Sequence, residues 1–143
     1  MTKSDRTARL HHLHELVLQQ AVARQKNATY ALEEQTAKLA QLQRGIENLD
    51  HDHLTLFRSG NDALLWHYYF DLLQEQKLKQ TATVIGRSEE VEQFRQQTTL
   101  AYQDVTRWEI YHEQTLEAID AERYKHDLRQ ADDLAVSRNK AIL

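Results

Sequence analysis

The sequence predicts an all-α protein: an elongated antiparallel two-helix coiled-coil hairpin with a short aromatic-rich segment at its tip. Three observations predict it. The 143 residues contain no proline and only three glycines. Those two residues disfavour helix interiors most, by about 3 and about 1 kcal/mol. Apolar residues recur at three- and four-residue steps through two long segments of nearly equal length. Between them lies the clearest interruption in the chain, Arg58-Ser59-Gly60-Asn61-Asp62.

The first helix is expected over about residues 4–57. Ser4 can serve as its N-cap, with Asp5 in the first turn. Leu10, Leu13 and Val17 begin an apolar stripe, which Leu18, Ala21, Ala28, Leu32, Leu39, Leu42, Ile46, Leu49 and Leu56 continue. From Leu39 through Ile46, Leu49 and His53 to Leu56 the steps run 3-4-3-4-3, a seam that asks for a partner helix. Gly45 only softens this run. The alanines between residues 21 and 37 suggest a close approach or weak packing.

Gly60 can take the left-handed position that ends a helix, and Asn61 or Asp62 can cap the next. The expected tip segment covers about residues 58–87. Trp66, Tyr68, Tyr69 and Phe70 place four of the eleven aromatics within five residues. Gly86 marks a second, weaker break, with Ser88 as cap of a helix over about 88–140. Val91, Phe94, Ala101, Val105, Trp108 and His112 form its stripe. Four-residue steps through Leu116, Asp120, Tyr124 and Leu128 then read as a stutter. Helices of this length each span roughly 80 Å. In an alternative arrangement, helix two starts at Asp62, runs unbroken through Gly86 and projects beyond helix one. The hairpin with a separate tip segment is the preferred arrangement, and the whole chain, 1–143, forms one domain.

Composition narrows the function. Absence of cysteine excludes disulfides, thiol nucleophiles and cysteine-based metal sites. The mean hydropathy of −0.75 suits an exposed helical rod. No apolar stretch approaches the roughly 20 residues of a membrane span. The charged, histidine-containing start does not read as an export signal. These features predict a cytoplasmic protein with no direct membrane insertion. Residues 62–122 hold five basic and twelve acidic side chains, a balance of −7, against +1 before them and +2 after. That acidic middle argues against nucleic acid as a partner.

Chemistry is sparse. His11 with His14, and Asp50 with His53, have helical metal-ligand spacing, but each offers only two ligands. Exposed helix surface is the better account. Glu33-Glu34, Glu89-Glu90 and Asp132-Asp133 are adjacent pairs, which diverge on a helix and suit a solvated face better than acid–base work. No nucleophile elbow or phosphate loop occurs. The expectation is a protein that is not an enzyme and carries no cofactor or metal.

Two surfaces remain. On a helix, Trp66, Phe70 and Leu73 share a face with Lys77, and Tyr69 lies beside it. Together they suit a local core closing the hairpin, a docking patch, or both. At the other end the hairpin would bring Lys3, Arg6 and Arg9 near Arg129, Arg138 and Lys140. That is ordinary end solvation or a basic surface for an acidic partner.

Two stretches resemble the FliJ/YscO family of stalk proteins from flagellar and injectisome type III export machines. Ala8-Arg9-Leu10-His11-His12-Leu13, with the repeats up to Leu42, is similar to the family's opening helix. Glu122-Arg123-Tyr124 through Asp132-Asp133-Leu134-Ala135 to Arg138 is similar to its closing segment, with Asp133 where glutamate is common. The resemblance implies a non-catalytic rod in the pore of a hexameric export ATPase. Such a rod promotes ring assembly and activity and connects the ring to the export gate in the membrane. Some members also bind export chaperones. Carried onto this chain, Arg6, Arg9, Leu10, Leu13, Leu128, Leu134 and Arg138 would contact the ATPase ring. Trp66, Tyr69, Phe70 and Leu73 would face the gate, an assignment drawn from the hairpin geometry. Such a chain would be a monomer or weakly self-associated. A generic coiled-coil adaptor is the alternative.

Overall fold

The computed structural model describes the backbone of residues 1–56 and 60–142, and the side chains of these apart from residues 52–56, 61 and 141–142. His53, Leu56 and Asn61, named above, therefore lie outside the described side chains, and Arg58 and Ser59 outside the described residues.

Two helices account for the chain, α1 over Lys3–Leu56 and α2 over Gly60–Ile142. The start of α1 differs from expectation. Thr2, not Ser4, is the cap. Its hydroxyl accepts the Asp5 amide at 3.2 Å, and its own amide donates to the Asp5 carboxylate at 3.2 Å. This reciprocal pair satisfies donors that an uncapped helix leaves open. The same contacts hold the Asp5 carboxyl below its ordinary range, the Thr2 side-chain bond contributing most.

The expected tip segment over 58–87 is corrected. Residues 60–87 belong to α2, which runs through Gly86 and Ser88 without a break. Gly60 opens the helix, and no residue described has a left-handed φ. One glycine costs about 1 kcal/mol, too little to stop a helix whose neighbours favour it. The Arg87 guanidinium also bonds Glu90 one turn on, at 3.1 Å. This is the alternative arrangement of the sequence analysis.

The chain divides into two compact units. The first joins Met1–Gln19 to Thr99–Leu143, and the second is Gln20–Thr98. In each, a stretch of α1 packs against a stretch of α2. In the second unit, Gln80 Nε2 donates to Gln35 and Trp66 Nε1 donates to the Leu49 carbonyl. Moving up α1 from Gln35 to Leu49 moves down α2 from Gln80 to Trp66, so the two stretches are antiparallel. In the first unit Thr7 meets His112 and His14 meets Trp108, again antiparallel.

Burial follows one rhythm. In the second unit the α1 seam is Ala21, Gln25, Ala28, Leu32, Gln35, Leu39, Leu42, Ile46 and Leu49, all buried or half-buried. Facing it on α2 are Ala63, Trp66, Phe70, Leu73, Lys77, Gln80, Val84, Arg87, Val91, Phe94 and Thr98. In the first unit the seam is Ser4, Thr7, His11, His14 and Leu18, against Ala101, Val105, Trp108, His112, Thr115 and Ile119. Every step is three or four residues, the spacing that keeps one face of a helix towards its neighbour. The core is one layer thick. Among the described residues Ala21, Ala28, Ile46, Ala101 and Val105 are the buried apolar ones, and no large side chain is fully enclosed.

Two expectations fail here. The stripe expected to open at Leu10, Leu13 and Val17 does not face α2 throughout: Leu13 is 54% and Val17 47% exposed. Polar Ser4, Thr7, His11 and His14 take the seam instead. The expected stutter after His112 is not seen either. Burial continues at Thr115 and Ile119, while Leu116 and Asp120 are exposed. In both places a polar residue holds a seam position, and hydropathy alone points to the wrong neighbour.

Candidate functional site

The first unit has polar side chains on α1's side of its seam. Thr7 is 3% exposed, and its Oγ1 lies 3.0 Å from the Ser4 carbonyl and 2.6 Å from His112 Nδ1. A threonine hydroxyl has one proton and can still accept. Donated to Ser4, that proton leaves an oxygen ready for an Nδ1–H of His112. Thr115, 6% exposed, donates to the Tyr111 carbonyl within its own helix. The His14 and Trp108 rings stack 5.8 Å apart, inclined by 14°. Lys3 Nζ sits 5.7 Å from the centre of the Tyr111 ring. The Thr7–His112 bond, the His14–Trp108 stack and the Lys3–Tyr111 contact bridge the two helices.

The histidines at the start of α1 do not converge. His11 Nε2 lies 3.3 Å and His12 Nδ1 3.8 Å from the Glu15 carboxylate, while His14 turns to Trp108. Among the described residues no three His, Asp or Glu side chains come together as a metal would require.

Of the ring-contact candidates, Arg6 and Arg9 are exposed and Leu10 is half-buried, beside the start of α1. Lys3 lies in a groove with Thr115, Ala118, Ile119, Glu122 and Arg123. So α1 begins level with that part of α2. Leu128, Leu134 and Arg138 lie further along, where α2 has no partner. All residues from Asp120 to Lys140 are exposed. The expected basic cluster therefore does not form: Arg138 stands some fifteen residues past the groove at Arg123, roughly 22 Å along the helix. α1 simply starts too far down α2 for the cations to meet.

The projecting turns change face. Continuing the seam beyond Ile119 leads to Glu122, His126, Arg129 and Asp133, all charged or polar. The apolar Tyr124, Leu128, Ala131 and Ala135 lie roughly 160° around the helix from that line. Tyr124 is 67% and Leu128 47% exposed. This stripe points away from the side on which α1 packs.

The aromatic patch divides in two. Trp66 and Phe70 stack at 4.9 Å, and the Trp66 indole reaches the Leu49 carbonyl at 2.8 Å. With half-buried Leu73 they belong to the seam. Tyr69, Tyr68, Leu64 and Leu65 face outward, each more than half exposed. Sequence reasoning placed Trp66, Phe70, Leu73 and Lys77 on one face, and they occupy consecutive seam positions. It missed Thr7, Thr115 and the Gln35–Gln80 pair. For Thr115, Gln35 and Gln80 the available signal was a seven-residue spacing from apolar seam members, which is blind to polarity; Thr7 stands seven residues before polar His14 and had no such signal.

No family model, curated protein or solved structure matches the chain.

Proposed function

We propose that this protein is a non-catalytic stalk component of a type III export apparatus. In this reading it binds and stimulates a hexameric export ATPase and links it to the membrane export gate. It works in the cytoplasm, peripheral to the export machinery, and supplies surface rather than reacting groups. The observation that carries the reading is the projecting end of α2. It holds the segment from Glu122 to Arg138 that resembles the family's closing segment, and it is exposed throughout. The 3–4 burial rhythm supports treating the helix pair as an antiparallel coiled-coil hairpin, with Trp66, Tyr69, Phe70 and Leu73 towards its tip. An asymmetric rod inside a six-fold ring contacts the subunits unequally, and can therefore bias their nucleotide states.

The test is ATP hydrolysis by a cognate hexameric export ATPase. Added chain should raise the rate, and a Leu128→Glu/Leu134→Glu variant should lose most of that gain. Both positions are exposed, so folding should survive. An unchanged rate at saturating stalk sinks the reading.

The second reading is a coiled-coil adaptor that captures partner or chaperone helices. The outward Leu64, Leu65, Tyr68 and Tyr69 support it. Binding that depends on those four residues, with no effect on the ATPase, would select it.

A further inference from the structure

The first unit has two chemically opposed flanks. A residue just before a seam position lies on one flank of a helix, and the residue just after lies on the other. In an antiparallel pair the "before" residues of both helices share a side. The Lys3–Tyr111 contact shows this directly, since Lys3 precedes Ser4 and Tyr111 precedes His112.

The "after" flank holds Asp5, Glu15, Glu109, Glu113 and Asp120, and no lysine or arginine. The "before" flank reverses that balance. Lys3, Arg6 and Arg107 are its cations, and Asp104 is its single carboxylate, 3.7 Å from Arg107. Its apolar members are also large. Leu13, Val17, Tyr111 and Leu100 are 54%, 47%, 46% and 60% exposed. Of these, Leu13 and Val17 are the ones whose hydropathy suggested a seam, yet they lie on the flank of α1. α1's side of the seam is largely polar here, and large apolar side chains lie beside it, rimmed by positive charge.

We infer that this flank docks an acidic amphipathic helix of a partner protein, laid along α1 and α2 as a third helix. Its apolar stripe would cover Leu10, Leu13, Val17 and Tyr111, and its carboxylates would meet Lys3, Arg6 and Arg107. The occupant follows from charge: a basic helix meets three cations here, and the acidic flank beside it offers no comparable apolar strip. Helix-in-groove recognition of this kind needs anchors at three- and four-residue spacing, which Leu10, Leu13 and Val17 supply. The surface shares Arg6, Leu10 and Leu13 with the proposed ATPase contact and deepens that reading.

The test uses the full chain, which lacks cysteine, so a single Glu47→Cys label is unique and lies outside the flank. The probe is a synthetic 21-residue helix with leucine at the seam positions and glutamate beside them. A lysine version of the same helix and phosphatidylglycerol vesicles are the comparisons. The glutamate helix should bind in fluorescence anisotropy. Affinity should fall at least about tenfold for Leu13→Glu/Val17→Glu, for Arg6→Glu/Arg107→Glu, and for the lysine helix. Circular dichroism and melting temperature should stay unchanged, because all four side chains are exposed. Raised salt should weaken binding. Absent binding, equal binding of the two helices, binding that survives both double variants, or binding of the vesicles alone would each overturn the inference. The assay contains no ATPase, so its failure and that of the stalk reading are separate results.

Discussion

The two units share one burial rhythm and fill it with different chemistry. In the second, Leu39, Leu42, Ile46 and Leu49 supply α1's side of the seam, and Trp66, Phe70 and Leu73 lie on α2's. In the first, α1 contributes Ser4, Thr7, His11 and His14, met by Trp108, His112 and Thr115. Apolar burial is non-directional and scales with area, at about 25 cal/mol per Å². Hydrogen bonds and ring stacks need fixed geometry and give about 1 kcal/mol net each. The second unit should therefore hold the stability, and the first should hold specificity at lower cost to open.

Shortening the apolar seam should break that contrast most. Ile46→Ala removes one of the few buried apolar side chains and should cost about 2–4 kcal/mol in urea denaturation. Trp66→Ala should cost a similar amount, since it removes the stack on Phe70 and the bond to Leu49. A loss below about 1 kcal/mol for both would mean that the second unit is not the stable one.

Hydrogen exchange should sharpen the comparison without mutation. Amides of residues 7–14 should exchange about 10- to 100-fold faster than those of residues 35–46. Equal protection would show that the polar seam closes as firmly as the leucine one.

Single polar contacts come next. Thr7→Val keeps the shape and removes the hydroxyl between Ser4 and His112. It should cost about 1 kcal/mol, or slightly more if His112 loses its partner. Replacing both Gln35 and Gln80 by leucine should be neutral or stabilising by about 1 kcal/mol, because both partners leave together. The expected penalty is in uniqueness, read as new oligomers in light scattering, since a polar layer marks register.

The smallest effect lies at the start of α1. The carboxyl of Asp5 is held below its ordinary range in the folded chain. Its stabilising contribution is therefore full above the unfolded value and is lost as pH falls through the lower, folded one. Acidification should fray the first turn, seen as loss of the Asp5 amide's protection, while residues 35–46 stay unchanged.

Much of this was legible in the residues. Leu18, Ala21, Ala28, Leu32, Leu39, Leu42, Ile46 and Leu49 all stand in the seam where their spacing puts them, as do Val91, Phe94, Ala101, Val105, Trp108 and His112. What was not legible has several physical causes. Thr7 and Thr115 are buried with their hydroxyls satisfied, so they behave as small core residues. Leu13 and Val17 are apolar yet exposed, because Ser4, Thr7, His11, His14 and Leu18 take the face towards α2 in that unit. Gly86 resembled a stop, but a packed helix outweighs one unfavourable residue. Trp66, Phe70 and Leu73 share one helix face, as their spacing implies. The terminal cations were not brought together, since no residue type announces how far one helix slides past another.

The rotation of apolar side chains around the free end of α2 has a kinetic corollary. A binder gripping Tyr124 and Leu128 comes from the far side and never competes with α1. Nothing has to unlatch first. Its capture should be limited by collision, with one exponential phase whose rate rises linearly with concentration.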